Sequence, residues 1–443
     1  MPFQRPPETN APCARSWLRT SIAALVLLAA SGTYAFAQSA VAQSAVEWTA
    51  KSKSEAESNP DAALADIDKA IALEDAAFRR YEKGLILQRL HRNSEAITQF
   101  EAARATDPNN ATILFTLGYA YRAAGRNHDA VGAFQAGLQI DPSRYDVVED
   151  LAYALKDDGR PKAANKSFHD VLDNRGRYPQ TTDAQKLALD KRMFRVGREI
   201  DAIERNWYAT AFLTYRSSDA QNLPSVVNSN PFTSQGGAEV GWSPLLGGMT
   251  EHSLDIYGRS YFSFRAGTLD YDSKSLQFGV GVRWKPFATQ DFRLTLERMI
   301  KSGSNARNAW LTRASYSWND GADIDPFATD WNYTSFYGDV AYIPTSPTFF
   351  SVYGQLEQGW RFRFGDATAI TPHGVISTQY TSDKFRDDWT TEIGAGVTLS
   401  RWYDGGEYPS NSRRVDLIAE YRTPLSSTTH DRGHALLQLV VFR

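Results

Sequence analysis

Two periodicities divide the chain at about residue 206. Beyond that point apolar residues fall at every second position. Leu276, Phe278, Val280, Val282 and Trp284 alternate with Gln277, Gly279, Gly281, Arg283 and Lys285. Trp389, Thr391, Ile393, Ala395, Val397 and Leu399 alternate with Thr390, Glu392, Gly394, Gly396, Thr398 and Ser400. Leu254, Ile256, Phe262 and Phe264 share one face, and Asp255, Tyr257, Arg259, Tyr261 and Ser263 the other. A period of two is that of a strand with unlike faces. About twelve such segments, bounded by Gly, Pro, Asn and Asp, start near 207, 237, 253, 276, 291, 309, 332, 349, 371, 389, 414 and 434. Before residue 206 the spacing is three and four. Leu189, Met193, Val196, Ile200 and Ile203 form one apolar stripe and predict a helix over Thr182–Arg205. The run Asp173 to Pro179 separates it from the helices before it.

Those earlier helices repeat. Gly84 and Gly118 are 34 residues apart, as are Ala96 and Ala130, Phe100 and Phe134, and Pro108 and Pro142. Ala152, Ala164 and Phe168 continue the series. The unit resembles the tetratricopeptide repeat, a helix-turn-helix of 34 residues. Small residues let the paired helices approach, the phenylalanines are expected to fill space between units, and the prolines stop the second helix. Residues 43–76 read as a degenerate or capping repeat. Such a stack has a concave surface. The repeat pattern implies that Tyr81, Phe115, Tyr119, Arg122, Tyr153 and Lys156 line it, a mixture suited to a partner helix, a peptide or a sugar chain. The same aromatics also suit the core between repeats. The helix at 182–205 is expected to cap the stack and join it to the strand domain, with a plug for that domain as the alternative.

The alternating segments are longer than the five or six residues usual in a soluble sandwich, and match the roughly 9–11 residues of a strand that crosses a bilayer at a tilt. Aromatics sit near their ends, as at Trp207, Tyr215, Trp284, Trp310, Trp318, Trp360, Trp389 and Trp402, where a barrel has its interface girdles. Backbone groups within a membrane must all be paired, so the sheet must close. The expected fold class is therefore α + β with two domains: a tetratricopeptide-repeat α-superhelix, then a transmembrane antiparallel β-barrel of about 12 strands. The boundaries are 43–175 for the repeats, 182–205 for the connecting helix and 207–443 for the barrel, which is expected in the outer membrane of a Gram-negative bacterium. The polar face offers lumen candidates Asp255, Tyr257, Arg259, Tyr261, Arg283, Glu297, Arg313, Asp339, Tyr353, Glu357, Arg361, Arg363, Glu392, Asp416 and Glu420. Their mixed signs point to ion-pair networks rather than strong ion selectivity.

Composition agrees. Mean hydropathy is −0.44, and no apolar run reaches the roughly 18 residues of a membrane-spanning helix. The net charge of −3 over 443 residues gives no footprint for nucleic-acid binding. Of the 11 tryptophans, 9 lie beyond residue 206. At the N-terminus Arg5, Arg15 and Arg19 precede the apolar run Ser21–Ala30, and Ala35, Phe36 and Ala37 make a small-residue cleavage pattern. Residues 1–37 thus read as a secretory signal peptide. Its removal takes away three arginines and Glu8, moving the formal charge from −3 to −5, and with them the single cysteine, Cys13.

A family resemblance is carried by Gly281–Phe287 (GVRWKPF), Leu296–Arg298, Asn305–Trp318 (NARNAWLTRASYSW), Trp331–Thr334, Tyr353–Gln355 and Thr371–His373. As a set these resemble the C-terminal domain of the NfrA-type bacteriophage adsorption proteins, over roughly residues 190–443. The resemblance implies an outer-membrane outlet for an exopolysaccharide, with its repeats in the periplasm, that phages use as a receptor. The implied partners are outer-membrane lipid, the polysaccharide, and a periplasmic or inner-membrane synthase or glycosyltransferase met through the repeats. This chain departs from the family in having few repeats.

Catalytic chemistry is sparse. His91, His128, His169, His252, His373, His430 and His434 form no H-E-x-x-H pair, and no G-x-S-x-G or P-loop occurs. His373 and Ser377 share one strand face and are the best hydrolase suspects, though two polar lumen residues are the preferred explanation. The chain is read as a non-enzyme without metal or cofactor. Export, a receptor or scaffold anchored by its barrel, and a barrel enzyme are the three competing functions. An anchor alone predicts a lumen filled by side chains.

Overall fold

A computed structural model describes residues 43–217, 234–244, 253–264, 269–287, 290–346, 348–383, 387–403, 413–428 and 433–443. The signal-peptide reading, Cys13, His252 and His430 lie outside them. The chain divides into two compact units, residues 1–147 and 148–443. The division falls at the start of the third helical hairpin, not at residue 175, so that hairpin is grouped with the barrel.

The first unit is built of α1 (residues 43–55), α2 (Pro60–Leu73), α3 (Ala77–Arg89), α4 (Asn93–Thr106), α5 (Ala111–Ala123) and α6 (Asn127–Ile140). The period of 34 is visible in the helix starts: α3 and α5 at Ala77 and Ala111, α4 and α6 at Asn93 and Asn127. The α3–α4 and α5–α6 hairpins each turn on a left-handed residue, His91 at φ 57° and Gly125 at φ 73°. Glycine adopts this conformation at no steric cost, and histidine does not. A Cβ on Gly84 would stand 2.4 Å from the Phe100 ring, and one on Gly118 2.4 Å from the Phe134 ring. The repeated phenylalanines therefore pack inside each hairpin against its small residue, not between units as their periodicity suggests. Phe115 has 3% of its surface exposed and abuts Gly137. It is a core residue rather than a groove residue.

The second unit begins with α7 (Asp146–Asp157), α8 (Pro161–Asp173) and α9 (Asp183–Glu204). A capping box starts α9: Thr182 Oγ1 accepts from the Gln185 N–H, and the Gln185 side chain accepts from the Thr182 N–H. The stripe Leu189, Met193, Val196, Ile200 and Ile203 is buried. Ion pairs tie α9 to the hairpin before it: Lys156 to Glu199 at 2.7 Å, and Arg192 to Glu149. Glu204 accepts from Asn165 and contacts His169, both at 2.8 Å, which lowers its pKa below the usual carboxylate range.

Twelve strands then close into one antiparallel barrel in simple up-and-down order, with β1 paired to both β2 and β12. They are β1 (Trp207–Arg216), β2 (Gln235–Trp242), β3 (Leu254–Ser263), β4 (Gln277–Trp284), β5 (Asp291–Lys301), β6 (Ala309–Asp320), β7 (Asp330–Ile343), β8 (Phe349–Arg363), β9 (Thr368–Asp383), β10 (Asp387–Trp402), β11 (Arg414–Ser427) and β12 (His434–Phe442). One end of the barrel, where β1 starts directly after α9, is the α9 end; the other is the far end. Closure leaves no edge strand to pair elsewhere.

Burial alternates along each strand. Val240, Ile256, Val280, Val282, Leu296, Leu356, Ile376, Ile393 and Leu437 are exposed on the outer face. Trp207, Trp242, Trp284, Trp318 and Trp360 ring the α9 end, and Trp310, Tyr342, Phe350, Tyr380 and Trp389 the far end. An apolar belt between two aromatic girdles is the surface of a membrane-spanning barrel. Trp402 is an exception to the expected girdle. It is 2% exposed, faces inward, and packs against Ile324 and Ala369.

Proline interrupts the ladder twice. Pairing of β8 with β9 skips Trp360 and Arg361 beside Pro372, and pairing of β10 with β11 shifts register next to Pro424. A proline supplies no N–H to the ladder.

Candidate functional site

The barrel interior is where the polar side chains converge. Every lumen candidate, from Asp255 on β3 to Glu420 on β11, has the inward parity of its strand. Most are buried; Arg283, Tyr353, Glu357 and Arg363 are half-buried.

The pairs they form reach over intervening strands. Arg259 and Tyr257 on β3 contact Glu297 on β5 at 2.7 and 2.6 Å, across β4. His373 Nε2 on β9 meets Glu420 on β11 at 2.9 Å, across β10. Arg422 donates to Glu420 at 2.6 Å and to Ser377 Oγ on β9 at 3.1 Å. Arg216 on β1 donates to Glu392 on β10 at 2.7 Å, across β12 and β11. Glycines on the crossed strands make this possible. A Cβ on Gly279 of β4 would stand 2.2 Å from Glu297 Oε1, and one on Gly396 of β10 2.4 Å from Glu420 Cγ. The inward Gly-x-Gly pairs of β4 and β10 are thus spaces occupied by neighbouring side chains, Glu297 and Tyr257 at β4 and Arg422 and Glu420 at β10.

The network fills the waist of the barrel. The side chains of Arg216, Glu392, Glu297, His373 and Glu420 are each no more than 1% exposed. Toward the far end one wall is apolar instead: Met299, Leu311, Ile343 and Phe349 pack inward with Tyr261, Ala309 and Ala341. The polar strand face predicts a uniformly wet lumen. Here the connection between β5 and β6 turns inward, and the Arg307 guanidinium lies 6.0 Å from the centre of the Phe349 ring. That connection is held by Gln277, whose side chain bonds the Arg307 backbone.

Toward the α9 end the interior opens. A cavity of about 570 Å³ is lined by Tyr208, Thr210, Glu239, Asp255, Arg283, Arg293 and Phe442, with Lys156, Ile203 and Arg205 on the helical side. A second of about 350 Å³ shares Thr210, Glu239, Arg283 and Phe442 and reaches Arg259, Tyr261 and Tyr337. Cations lining the two cavities are matched: Arg283 pairs with Glu239 at 3.0 Å, Arg293 of the first cavity with Asp291 at 2.7 Å, and Arg259 of the second with Glu297. Arg283 also lies over the Tyr257 ring at 4.6 Å.

Among the described residues one loop enters this mouth. Residues 321–329 turn inward at Gly321, whose φ of 67° and contact with the Asn332 carbonyl exclude a side chain. Arg361 and Arg414 both donate to the Ala322 carbonyl, and Ile324 is buried against Trp402 and Ala369. From outside α9 holds the loop: Phe194 meets Phe327 edge to face at 5.9 Å, and Arg198 pairs with Asp323 at 2.5 Å. The loop, rather than α9, is the element inside the mouth.

Sequence reasoning missed several members of the network: Arg216, Glu239, Tyr208, Tyr333, Tyr337, Gln355 and Arg422. Tyr333 and Tyr337 share the inward parity of Asp339, Gln355 that of Tyr353 and Arg422 that of Glu420, so parity alone would have found these four; on β1 and β2, which carry Tyr208, Arg216 and Glu239, no lumen residue is named. Of the groove candidates, Tyr81, Tyr119 and Tyr153 lie against Phe100, Phe134 and Phe168 at 5.6, 5.1 and 5.1 Å, Tyr119 remaining 39% exposed. Arg122 is half-buried, and Lys156 is held by Glu199. The hydrolase suspects are not assembled. His373 uses Nδ1 on the Thr371 carbonyl and Nε2 on Glu420, while Ser377 accepts from Arg422. Among the described residues no cluster suited to a metal ion occurs.

Fold and interior together define a class: an outer-membrane-type β-barrel preceded by tetratricopeptide repeats. Residues 269–437 match the family model described as bacteriophage N adsorption protein A C-term, and residues 81–145 match a tetratricopeptide repeat model. The chain is 22% identical over 410 residues to the bacteriophage adsorption protein A of Escherichia coli (strain K12), covering 86% of this chain and 40% of that protein. It therefore spans about two-fifths of the length of that relative. Among solved structures, MamA matches at 21% identity over 29% of this chain and 77% of its own, with a TM-score of 0.28. A tetratricopeptide repeat protein from Parabacteroides merdae ATCC 43184 matches at 17% identity over 36% and 66%, with a TM-score of 0.30.

Proposed function

We propose that the barrel is an outer-membrane outlet for an exopolysaccharide, closed at its waist at rest, with the repeats on the periplasmic side docking the machinery that makes the polymer. The observation that carries this reading is the pair of tyrosine-bearing cavities that open toward the α9 end. Flat rings and hydroxyl partners suit a sugar chain, and matched charges bind it without holding it. Strand number supports it too. Eight strands suffice for an interior that side chains fill, so twelve give more width than an anchor needs. Here the width is filled by long charged side chains, which hydrate when they part, rather than by a hydrocarbon core. Neither transport nor binding requires covalent chemistry, and the reading assigns no enzymatic activity.

A second reading, an outer-membrane receptor or assembly scaffold without transport, is favoured by the buried waist itself. The E. coli relative is named for phage adsorption, and the same role is proposed here for the far-end loops. Deletion of the gene separates the two. Export predicts loss of secreted polymer while synthesis continues inside the cell; a receptor or scaffold leaves secretion unchanged.

A further inference from the structure

The outer face of the barrel carries one charged side chain away from strand ends, among the described residues. Asp320, Asp330, Asp387 and Arg401 occupy first, last or penultimate strand positions. Arg298 is the fourth residue from the end of β5, between Leu296 and Ile300, in register with Val280 on β4 and Trp310 on β6. Its guanidinium lies 5.7 Å from the centre of the Trp310 ring. No described carboxylate pairs with it. Trp310 belongs to the far girdle, so this cation stands where hydrocarbon gives way to lipid headgroups.

One more cation lies beyond the end of this wall, in the connection between β3 and β4. Lys301, the last residue of β5, has the inward parity of Glu297 and Met299 and pairs with inward Gln277, so it is not part of the lipid-facing line. Lys274 is exposed in the β3–β4 connection, and its carbonyl accepts the Asn305 N–H at 2.8 Å, so the two loops are docked together. The acids of that connection are Asp270 and Asp272; Asp272 accepts the Lys274 N–H at 3.1 Å.

An arginine on a lipid-facing strand costs about 2–4 kcal/mol at the bilayer midplane and about 0–1 near the interface. Its flexible stem lets the guanidinium reach the headgroup layer. There the matching group is a phosphate, which a guanidinium grips with parallel N–H donors. We propose that Arg298, seconded by Lys274, binds the phosphate of a phosphorylated membrane glycolipid in the leaflet at the far girdle. The proposal rests on the barrel spanning a membrane and does not depend on transport, so its test stands apart from the secretion test.

The experiment is native mass spectrometry of the purified full chain with a phosphorylated lipid A-type glycolipid and with its dephosphorylated form. A heat-modifiable gel shift certifies that each variant is folded. The expected result is retention of the phosphorylated form only, falling about tenfold in Arg298→Gln and largely kept in Arg298→Lys. Equal retention by folded Arg298→Gln overturns the proposal, as does equal retention of the dephosphorylated lipid. Displacement of the lipid by millimolar inorganic phosphate also overturns it, by assigning the site to a free anion.

Discussion

Arg216 and Glu392 are joined at 2.7 Å although two strands of the barrel wall lie between them, and neither side chain is more than 1% exposed. The pair is a chord across the interior. Removing one partner leaves the other charge buried without compensation, which costs about 3–5 kcal/mol. Glu392→Ala should lower the urea midpoint of the refolded barrel strongly. The double variant Arg216→Met/Glu392→Leu should recover most of the loss, because neither member of the pair is left buried without the other. Equal destabilisation in both variants would show that the pair is not coupled.

Glycines facing the interior should be intolerant in a way that outward ones are not. Gly396→Val drives a side chain into Glu420 Cγ and the Ala419 carbonyl, whereas a Cβ on Gly258 meets nothing closer than 4.0 Å. Overpacking of this kind costs about 1–3 kcal/mol. Unfolding in detergent should therefore separate Gly396→Val from a near-neutral Gly258→Ala.

In the repeats the turn positions make a graded prediction. His91 occupies the left-handed conformation that Gly125 holds one repeat later. His91→Gly should stabilise the first unit by about 1 kcal/mol, by removing the backbone penalty. Gly118→Val should destabilise it through contact with Phe134. Thermal melts followed by circular dichroism report both signs.

Tyr121 gives a pH signature. Burial, and then its hydrogen bond to Glu101 at 2.7 Å, raise its pKa to about 12. A group whose folded pKa is raised contributes stability that is complete below the unfolded value near 10. That contribution is lost as the pH climbs through about 12. The alkaline absorbance titration of the folded chain should contain one phenolate with that late midpoint, absent from Tyr121→Phe.

Much of this was legible in the sequence because it follows from local periodicity. The period of two placed the strands and sorted Asp255, Arg259, Glu297 and Glu420 onto the inner face, and the period of 34 placed the hairpins. The features that were not legible depend on contacts between distant segments. Trp402 reads as a girdle residue until the loop at 321–329 turns inward to cover it. Phe115 reads as a groove residue until Gly137 of the next helix makes room for its ring. Met299 and Phe349 share parity with charged residues, and their apolar cluster is visible only once Tyr261, Leu311 and Ile343 from neighbouring strands are seen to meet them.

The loop at 321–329 links the helical region to the interior, and its grip is testable. Phe194→Ala with Arg198→Ala removes the hold of α9 while leaving the barrel strands untouched. The loop should then become more accessible to protease, measured as faster cleavage near Phe327 in the folded protein. Unchanged cleavage would mean that Arg361 and Arg414 hold it alone.

Single-channel recording in planar bilayers tests the conduit directly. Wild-type protein should be silent or nearly so, and Glu392→Ala/Glu420→Ala, refolded and certified by heat-modifiable migration, should show discrete conductance steps. A folded double variant as silent as the wild type would contradict a closed conduit and leave a barrel that serves as an anchor.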